Sequence, residues 1–205
     1  LQPVSLAAMV DATVALVHHL AARRVVLVGH SMGGMVVQEL LATRPDVPVH
    51  AAVLACTSPA FGKLGGGWQA KFVAERLAPL DAGLGMAGMA ERLVPAMVSP
   101  QAVAEAQARA LAVMARVPEA TYRAALTSIV AFDRREALAA IAVPVLCLAG
   151  EHDTTASPGV MQRMAGKIPR AQYRCLNGAG HIANVEQPEA FNAALSGFVR
   201  QVLAA

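Results

Sequence analysis

The sequence predicts an α/β protein: a mainly parallel sheet covered by helices and interrupted by a helical insertion. Three observations carry this expectation. Short apolar runs alternate with helical stretches at both ends of the 205-residue chain, the pattern of parallel strands joined by crossover helices. Between them, residues 61–140 hold helical stretches and no strand. One apolar run, Val25-Val26-Leu27-Val28, passes through Gly29 and within a few residues becomes a helix.

Taken in order, Ser5 to Ala22 reads as a helix with Ser5 as its N-cap. The β-branched run Val25 to Val28 reads as a buried parallel strand. Met32 to Thr43 is helical and stops before Pro45, since a residue preceding proline is driven out of the α region. Further strands are expected at Ala51 to Cys56, Val143 to Ala149 and Gln172 to Leu176. Helices follow the last two, at about Pro158 to Lys167 and Pro188 to Leu203. In the middle, helices are expected to begin near Trp68, near Asp81, at Ser99-Pro100, at Pro118 and at Asp133. Ser99 would be an N-cap with Pro100 at the first helical position. Residues 1–60 and 141–205 would thus form the core. Residues 61–140 would be a helical lid, with Gly62, Gly65, Gly66 and Gly67 as its flexible entry.

Composition narrows the function. Hydrophobic residues make up 56% and charged residues 15%, so the chain can bury a large core and is not expected to be disordered. Only 4% is aromatic, so that core is built from Ala, Val, Leu and Met. The Met residues at helical spacing, such as Met86 and Met89, are expected to pack rather than line a cofactor pocket. The net charge is +3, yet bases alternate with acids, as in Glu75-Arg76 and Glu91-Arg92, and leave no basic stripe for nucleic acid. Cys56, Cys147 and Cys175 adjoin apolar runs without a CxxC pair, and read as small buried hydrophobes, not as disulfides or metal ligands. A reducing, cytoplasmic setting fits. No apolar run reaches the roughly 18 residues of a membrane span. The nearest, Leu6 to Ala22, is broken by Asp11 and His18-His19 and has no basic flank of a signal peptide.

Gly29-His30-Ser31-Met32-Gly33 fits G-x-S-x-G between a strand and a helix. A serine on so sharp a turn has strained backbone angles and a helix N-terminus behind it. Gly29 and Gly33, lacking Cβ, are expected to let neighbouring elements approach. The Met32 N–H is expected to receive an oxyanion. The run Gly29 to Gly34 is not G-x-G-x-x-G, and His50 stands where an acid would hold a ribose, so a dinucleotide loop is not expected.

A serine nucleophile needs a base, and the base needs an orienting acid. Glu151-His152-Asp153 follows the strand that ends at Gly150. An acid just past the carboxyl end of a parallel strand faces the same crevice as Ser31. Asp153 is the candidate and Glu151 its local rival. Of six histidines, His18 and His19 lie on the first helix, His30 adjoins the serine but is directed elsewhere, His50 opens a strand at the wrong end of the sheet, and His152 sits beside the acid. His181, in the glycine-rich loop Asn177-Gly178-Ala179-Gly180-His181, is the candidate base.

With serine, acid and histidine in this order, the chain resembles the α/β-hydrolase superfamily from Leu1 to its end. The stretch His181-Ile182-Ala183-Asn184-Val185-Glu186-Gln187-Pro188-Glu189-Ala190-Phe191 resembles 3-oxoadipate enol-lactonases. Those lactonases carry a Trp with a basic residue three positions on; here these are Trp68 and Lys71, with Lys where Arg is expected. The resemblance implies that both bind substrate. It also implies that strands precede the segment seen here. This chain would then hold the C-terminal half of the sheet, the triad, and one of two oxyanion donors.

On this reading Ser31 attacks an ester or lactone carbonyl after His181 takes its proton, and Asp153 holds the imidazole tautomer. An acyl-enzyme forms and His181 activates water to release it. No metal or organic cofactor is required. The resemblance implies the enol-lactone of 3-oxoadipate, in aromatic catabolism, as substrate. C–C hydrolysis of ring-cleavage products and cofactor-free perhydrolysis share the triad and stay open. A dehalogenase or epoxide hydrolase would be expected to have Asp at position 31. The alternative from another class is a non-catalytic module of the same fold that binds a small ligand. Expected partners are a small ester or lactone and, at the open side of the half-sheet, a second copy or an upstream segment; nucleic acid and membrane are not expected.

Overall fold

A computed structural model of the chain describes residues 4–62 and 67–204. Four strands, β1 (Val25–His30), β2 (Val49–Ala55), β3 (Val145–Gly150) and β4 (Ala171–Leu176), form one parallel sheet in the order β1-β2-β3-β4. The chain enters through helix α1 (Leu6–Leu20), which Ser5 caps by accepting the Ala8 N–H at 3.1 Å. It leaves through α9 (Pro188–Ala204). Helix α2 (Met32–Thr43) follows β1, and α7 (Pro158–Ala165) follows β3.

The apolar runs read as strands because both faces of the central sheet are covered. In β2 the side chains alternate. Ala51, Val53 and Ala55 pack with Leu146, Leu148 and the α9 residues Phe191, Phe198 and Val202. Ala52 and Leu54 face the other way, with Cys147, Val37 of α2 and Met161 and Met164 of α7. Leu54, Leu146 and Leu148 are buried completely or nearly so; cutting any of them to Ala costs about 2–5 kcal/mol in lost transfer energy and cavity. Val10, Val14 and Val17 recur at helical spacing along α1 and meet Val36 and Leu40 of α2. Among the described residues β1 and β4 are the two sheet edges. On β1, Val28 is 48% exposed.

Cys56 and Cys147 are buried as expected, and burial pushes both thiols up to about 12. Cys175 is exposed instead, because it sits on an edge strand whose side chains are only partly covered. No helix among the described residues is long and apolar enough to cross a membrane.

Between β2 and β3 the elements among the described residues are helices: α3 (Trp68–Asp81), α4 (Gly85–Leu93), α5 (Ala104–Ala115), α6 (Glu119–Ile129), and single 3₁₀ turns at Val94–Ala96 and Leu138–Ala140. Three expected helix starts are corrected. Asp81 ends a helix, and the next begins at Gly85, with Gly83 and Gly85 at positive φ of 83° and 68°. Ser99-Pro100 opens a turn, in which Ser99 accepts the Gln101 N–H on Oγ and the Ala102 N–H on its carbonyl. Helix α5 starts later, behind an extended Val103. Asp133 forms an isolated antiparallel bridge with Ala60 and bonds Arg135 rather than starting a helix. The strand expected from Val143 starts at Val145, since Pro144 has no N–H to give the ladder. Of the four entry glycines, Gly62 and Gly67 have positive φ; Gly65 and Gly66 lie outside the described residues.

Candidate active site

The carboxyl ends of β1, β3 and β4 bring the candidate residues together. Ser31 sits between β1 and α2 with φ 51° and ψ −118°. That conformation costs a non-glycine residue about 1–3 kcal/mol and persists only where the surroundings over-determine it. Hydrogen bonds to its backbone do so here. The Ser31 N–H donates to Ala55 O at 2.9 Å, and Ser31 O accepts from the Gly34 N–H at 2.9 Å and the Thr57 hydroxyl at 2.7 Å.

Two glycines make the turn possible, and one is not the expected one. A Cβ on Gly29 would strike the Gly33 carbonyl, as anticipated. A Cβ on Gly33 would meet nothing within 4 Å. The second close approach belongs to Gly34, where a Cβ would lie 2.6 Å from the Thr57 side chain. Met32 is the first residue of α2, so its N–H has no intrahelical acceptor. Among the described residues it has no other acceptor either. It is a free donor at a helix N-terminus, where partial positive charge gathers.

Asp153 follows β3 in a turn closed by its own N–H to Gly150 O at 3.2 Å. Its Oδ1 accepts the N–H groups of Thr155 and Ala156, both at 2.8 Å, and its Oδ2 lies 2.9 Å from His181 Nδ1. Burial pushes this carboxyl upward. The His181 hydrogen bond and charge, with the two backbone donors, outweigh it and hold the group below its usual value. Glu151 serves elsewhere, accepting the Gly178 N–H at 2.8 Å.

His181 Nε2 lies 2.9 Å from Ser31 Oγ. His181 is 1% exposed and Asp153 2%, so little water competes for the chain Ser31–His181–Asp153. With Nδ1–H donated to the carboxylate, Nε2 is left as the acceptor for the serine hydroxyl. The His181 backbone is fixed as well: its N–H donates to Met97 O at 2.7 Å, and its carbonyl accepts from His30 Nε2 at 2.7 Å. Burial lowers the His30 pKa, against the opposing effect of that hydrogen bond. His50 bonds Val202 O at the opposite end of the sheet.

Trp68 and Lys71 stand apart from this cluster. Trp68 stacks on Phe72 with ring centroids 5.2 Å apart and approaches Phe61 at 5.9 Å. The Lys71 ammonium lies 3.7 Å from Glu75, with its side chain 76% exposed. No hydrogen bond or ring contact between described residues joins either one to Ser31, Asp153 or His181. Sequence reading missed the supports His30, Thr57 and Met97, since nothing in their local sequence marks a contact made across the fold. An open cavity of about 560 Å³ lies at the far end of the sheet, lined by His50, Pro144, Arg170, Gln172 and Gln201, and holds no triad residue. Among the described residues no three of His, Cys, Asp and Glu are grouped to hold a metal ion.

Known proteins resemble this chain in sequence and fold. A stretch of 91 residues is 36% identical to 3-oxoadipate enol-lactonase 1 of Acinetobacter baylyi, and covers 43% of this chain but only 33% of that enzyme. A thermophilic esterase structure from Thermogutta terrifontis superposes on 98% of this chain and 74% of its own, with TM-score 0.83 and 27% identity. The enol-lactonase structure from Burkholderia xenovorans shares the fold, with TM-score 0.82 over 97% of this chain and 74% of its own, at 24% identity. The Alpha/beta hydrolase family model matches residues 1–194, and with the parallel sheet and its helices this places the chain in the alpha/beta hydrolase family.

Proposed function

We propose that the protein is a serine hydrolase of carboxylic esters or lactones that works through an acyl-enzyme on Ser31. The observation that supports this most is the hydrogen-bonded chain Ser31–His181–Asp153, with 2.9 Å at each link, on a strained turn at a helix N-terminus. In this reading His181 takes the Ser31 proton as Oγ attacks the carbonyl, and the Met32 N–H receives the developing oxyanion. His181 then protonates the leaving group and, in the second half, activates water. Asp153 keeps Nδ1 protonated and stabilises the imidazolium. The helices between β2 and β3 act as the lid over the substrate.

The substrate favoured is the enol-lactone of 3-oxoadipate. The likeness to the Acinetobacter enol-lactonase supports it, together with Trp68 and Lys71 at the start of α3, where Lys71 would face the carboxylate. The test is turnover of a model ester and of this lactone by the full-length protein and its Ser31→Ala variant. Ser31→Ala is expected to lose about 10⁴-fold or more. A variant that keeps a tenth of wild-type activity would remove Ser31 as the nucleophile.

A further inference from the structure

We propose that Glu186 is a positioning residue for His181, whose buried carboxylate clamps the loop that carries the imidazole and ties that loop to the helical insertion. The inference rests on the triad reading above. Glu186 ends the short helix α8 (Ala183–Glu186) and is 7% exposed. Its Oε2 accepts the Gly180 N–H at 2.9 Å and the Ser99 N–H at 2.6 Å, and its Oε1 accepts the Ile182 N–H at 3.0 Å. Gly180 and Ile182 flank His181. Among the described residues Glu186 has no ion-pair partner, so backbone N–H groups take the place of a cation.

The loop gains from such a clamp because few side chains anchor it ahead of His181: Ala179 is buried in the core, between two glycines. Before His181 it reads Gly178-Ala179-Gly180, and it runs against backbone. A Cβ on Gly180 would lie 2.5 Å from Ser99 N and 2.8 Å from Met97 O. Hydrogen bonds and this close backbone packing then fix where the peptide units sit. From residue 180 to 182 the three N–H groups donate to Glu186 twice and to Met97 once, the His181 carbonyl accepts from His30, and the Ile182 carbonyl accepts the Val185 and Glu186 N–H groups. Two of the three N–H groups end on one carboxylate. The same carboxylate holds Ser99, two residues beyond Met97, so the insertion and the histidine loop share an anchor. An imidazole displaced by about 1 Å from a 2.9 Å contact loses on the order of 10²-fold in rate.

Glu186→Gln isolates the effect. Its amide has one acceptor oxygen, which goes to the side with two donors, Gly180 and Ser99. The amide NH₂ then opposes the Ile182 N–H and releases one flank of His181. The experiment measures kcat and KM on p-nitrophenyl acetate with the full-length protein. Active sites are counted by end-point titration with a fluorophosphonate, so that unfolded protein does not enter kcat. Glu186→Gln is expected to lower kcat per titrated site by about 10–100-fold with KM within about twofold. A kcat per site within about threefold of wild type overturns the proposal. If Glu186→Gln does not fold, Glu186→Asp decides. It keeps both oxygens, but one methylene shorter it cannot span both flanks. Its kcat per site is expected to fall at least about fivefold, and a wild-type value overturns the proposal. Wild-type protein that takes no fluorophosphonate on Ser31 removes the hydrolase reading itself; normal wild-type labelling with unaffected Glu186 variants removes only the role of Glu186.

Discussion

Replacing Asp153 with Asn changes one oxygen to an amide nitrogen, and the structure dictates which one. Oδ1 accepts two backbone N–H groups, from Thr155 and Ala156 at 2.8 Å each. An NH₂ there would confront two donors, so the Asn oxygen must take that position. The NH₂ then points at His181 Nδ1, 2.9 Å away in the wild type. Nδ1 has to become an acceptor, the proton moves to Nε2, and the ring presents N–H to Ser31 Oγ instead of a lone pair. The base is lost although every atom stays near its place. Loss of the correct tautomer in a triad of this kind lowers kcat by about 10⁴-fold, equal to about 5.5 kcal/mol of barrier. Stability changes far less, since both backbone bonds survive and only their charge assistance is lost, about 1–2 kcal/mol. The assay is ester turnover beside a thermal melt. A folded Asp153→Asn protein within tenfold of wild-type kcat would refute the tautomer argument.

Other outcomes follow from the same geometry. Lys71→Ala is expected to raise KM for an anionic lactone severalfold while leaving a neutral ester nearly unchanged, because the exposed Glu75 pair is too weak to hold the ammonium away from a substrate; equal effects on both substrates remove Lys71 from binding. Stability is expected to rise with pH. His30 is held below its usual pKa, so the unfolded chain binds the extra proton below about 6.5, and Asp153, also held low, adds a second loss below about 3.9. A urea midpoint constant from pH 7 to 5, or the same slope in His30→Gln, contradicts the first step. Among the described residues the outer edge of β1 is unpaired, with Val28 exposed, and such edges recruit other chains. Size exclusion of residues 1–205 expressed alone should show self-association, and a stable, fully active monomer would count against it.

Much of this was legible because local signals and tertiary demands agree. The runs at Val25, Ala51 and Val145 are apolar on both faces, and the structure buries them from both sides. The G-x-S-x-G turn combines strand, glycine and helix within a few residues, so Ser31 stood out. Asp153 and His181 were found by position, each just past the carboxyl end of a strand. What failed was local chemistry with two outcomes. Ser99-Pro100 has the composition of a helix start, but the Ser99 N–H is taken by Glu186, far away in sequence, and the segment becomes a turn. Gly33 fits the motif, yet the close packing falls on Gly34, because Thr57 reaches that position from the end of β2. Glu186 was visible in Asn184-Val185-Glu186-Gln187-Pro188, but its three N–H partners come from two separate loops that only the fold brings together.

The central claim is that His181 and Asp153 activate Ser31, and chemical labelling reads it most directly. The full-length protein is treated with a fluorophosphonate, digested, and mapped by mass spectrometry. The expected result is a single adduct on Ser31, absent in Ser31→Ala and slowed by orders of magnitude in His181→Ala. An adduct elsewhere with Ser31 unmodified, or equal labelling rates with and without His181, would contradict it.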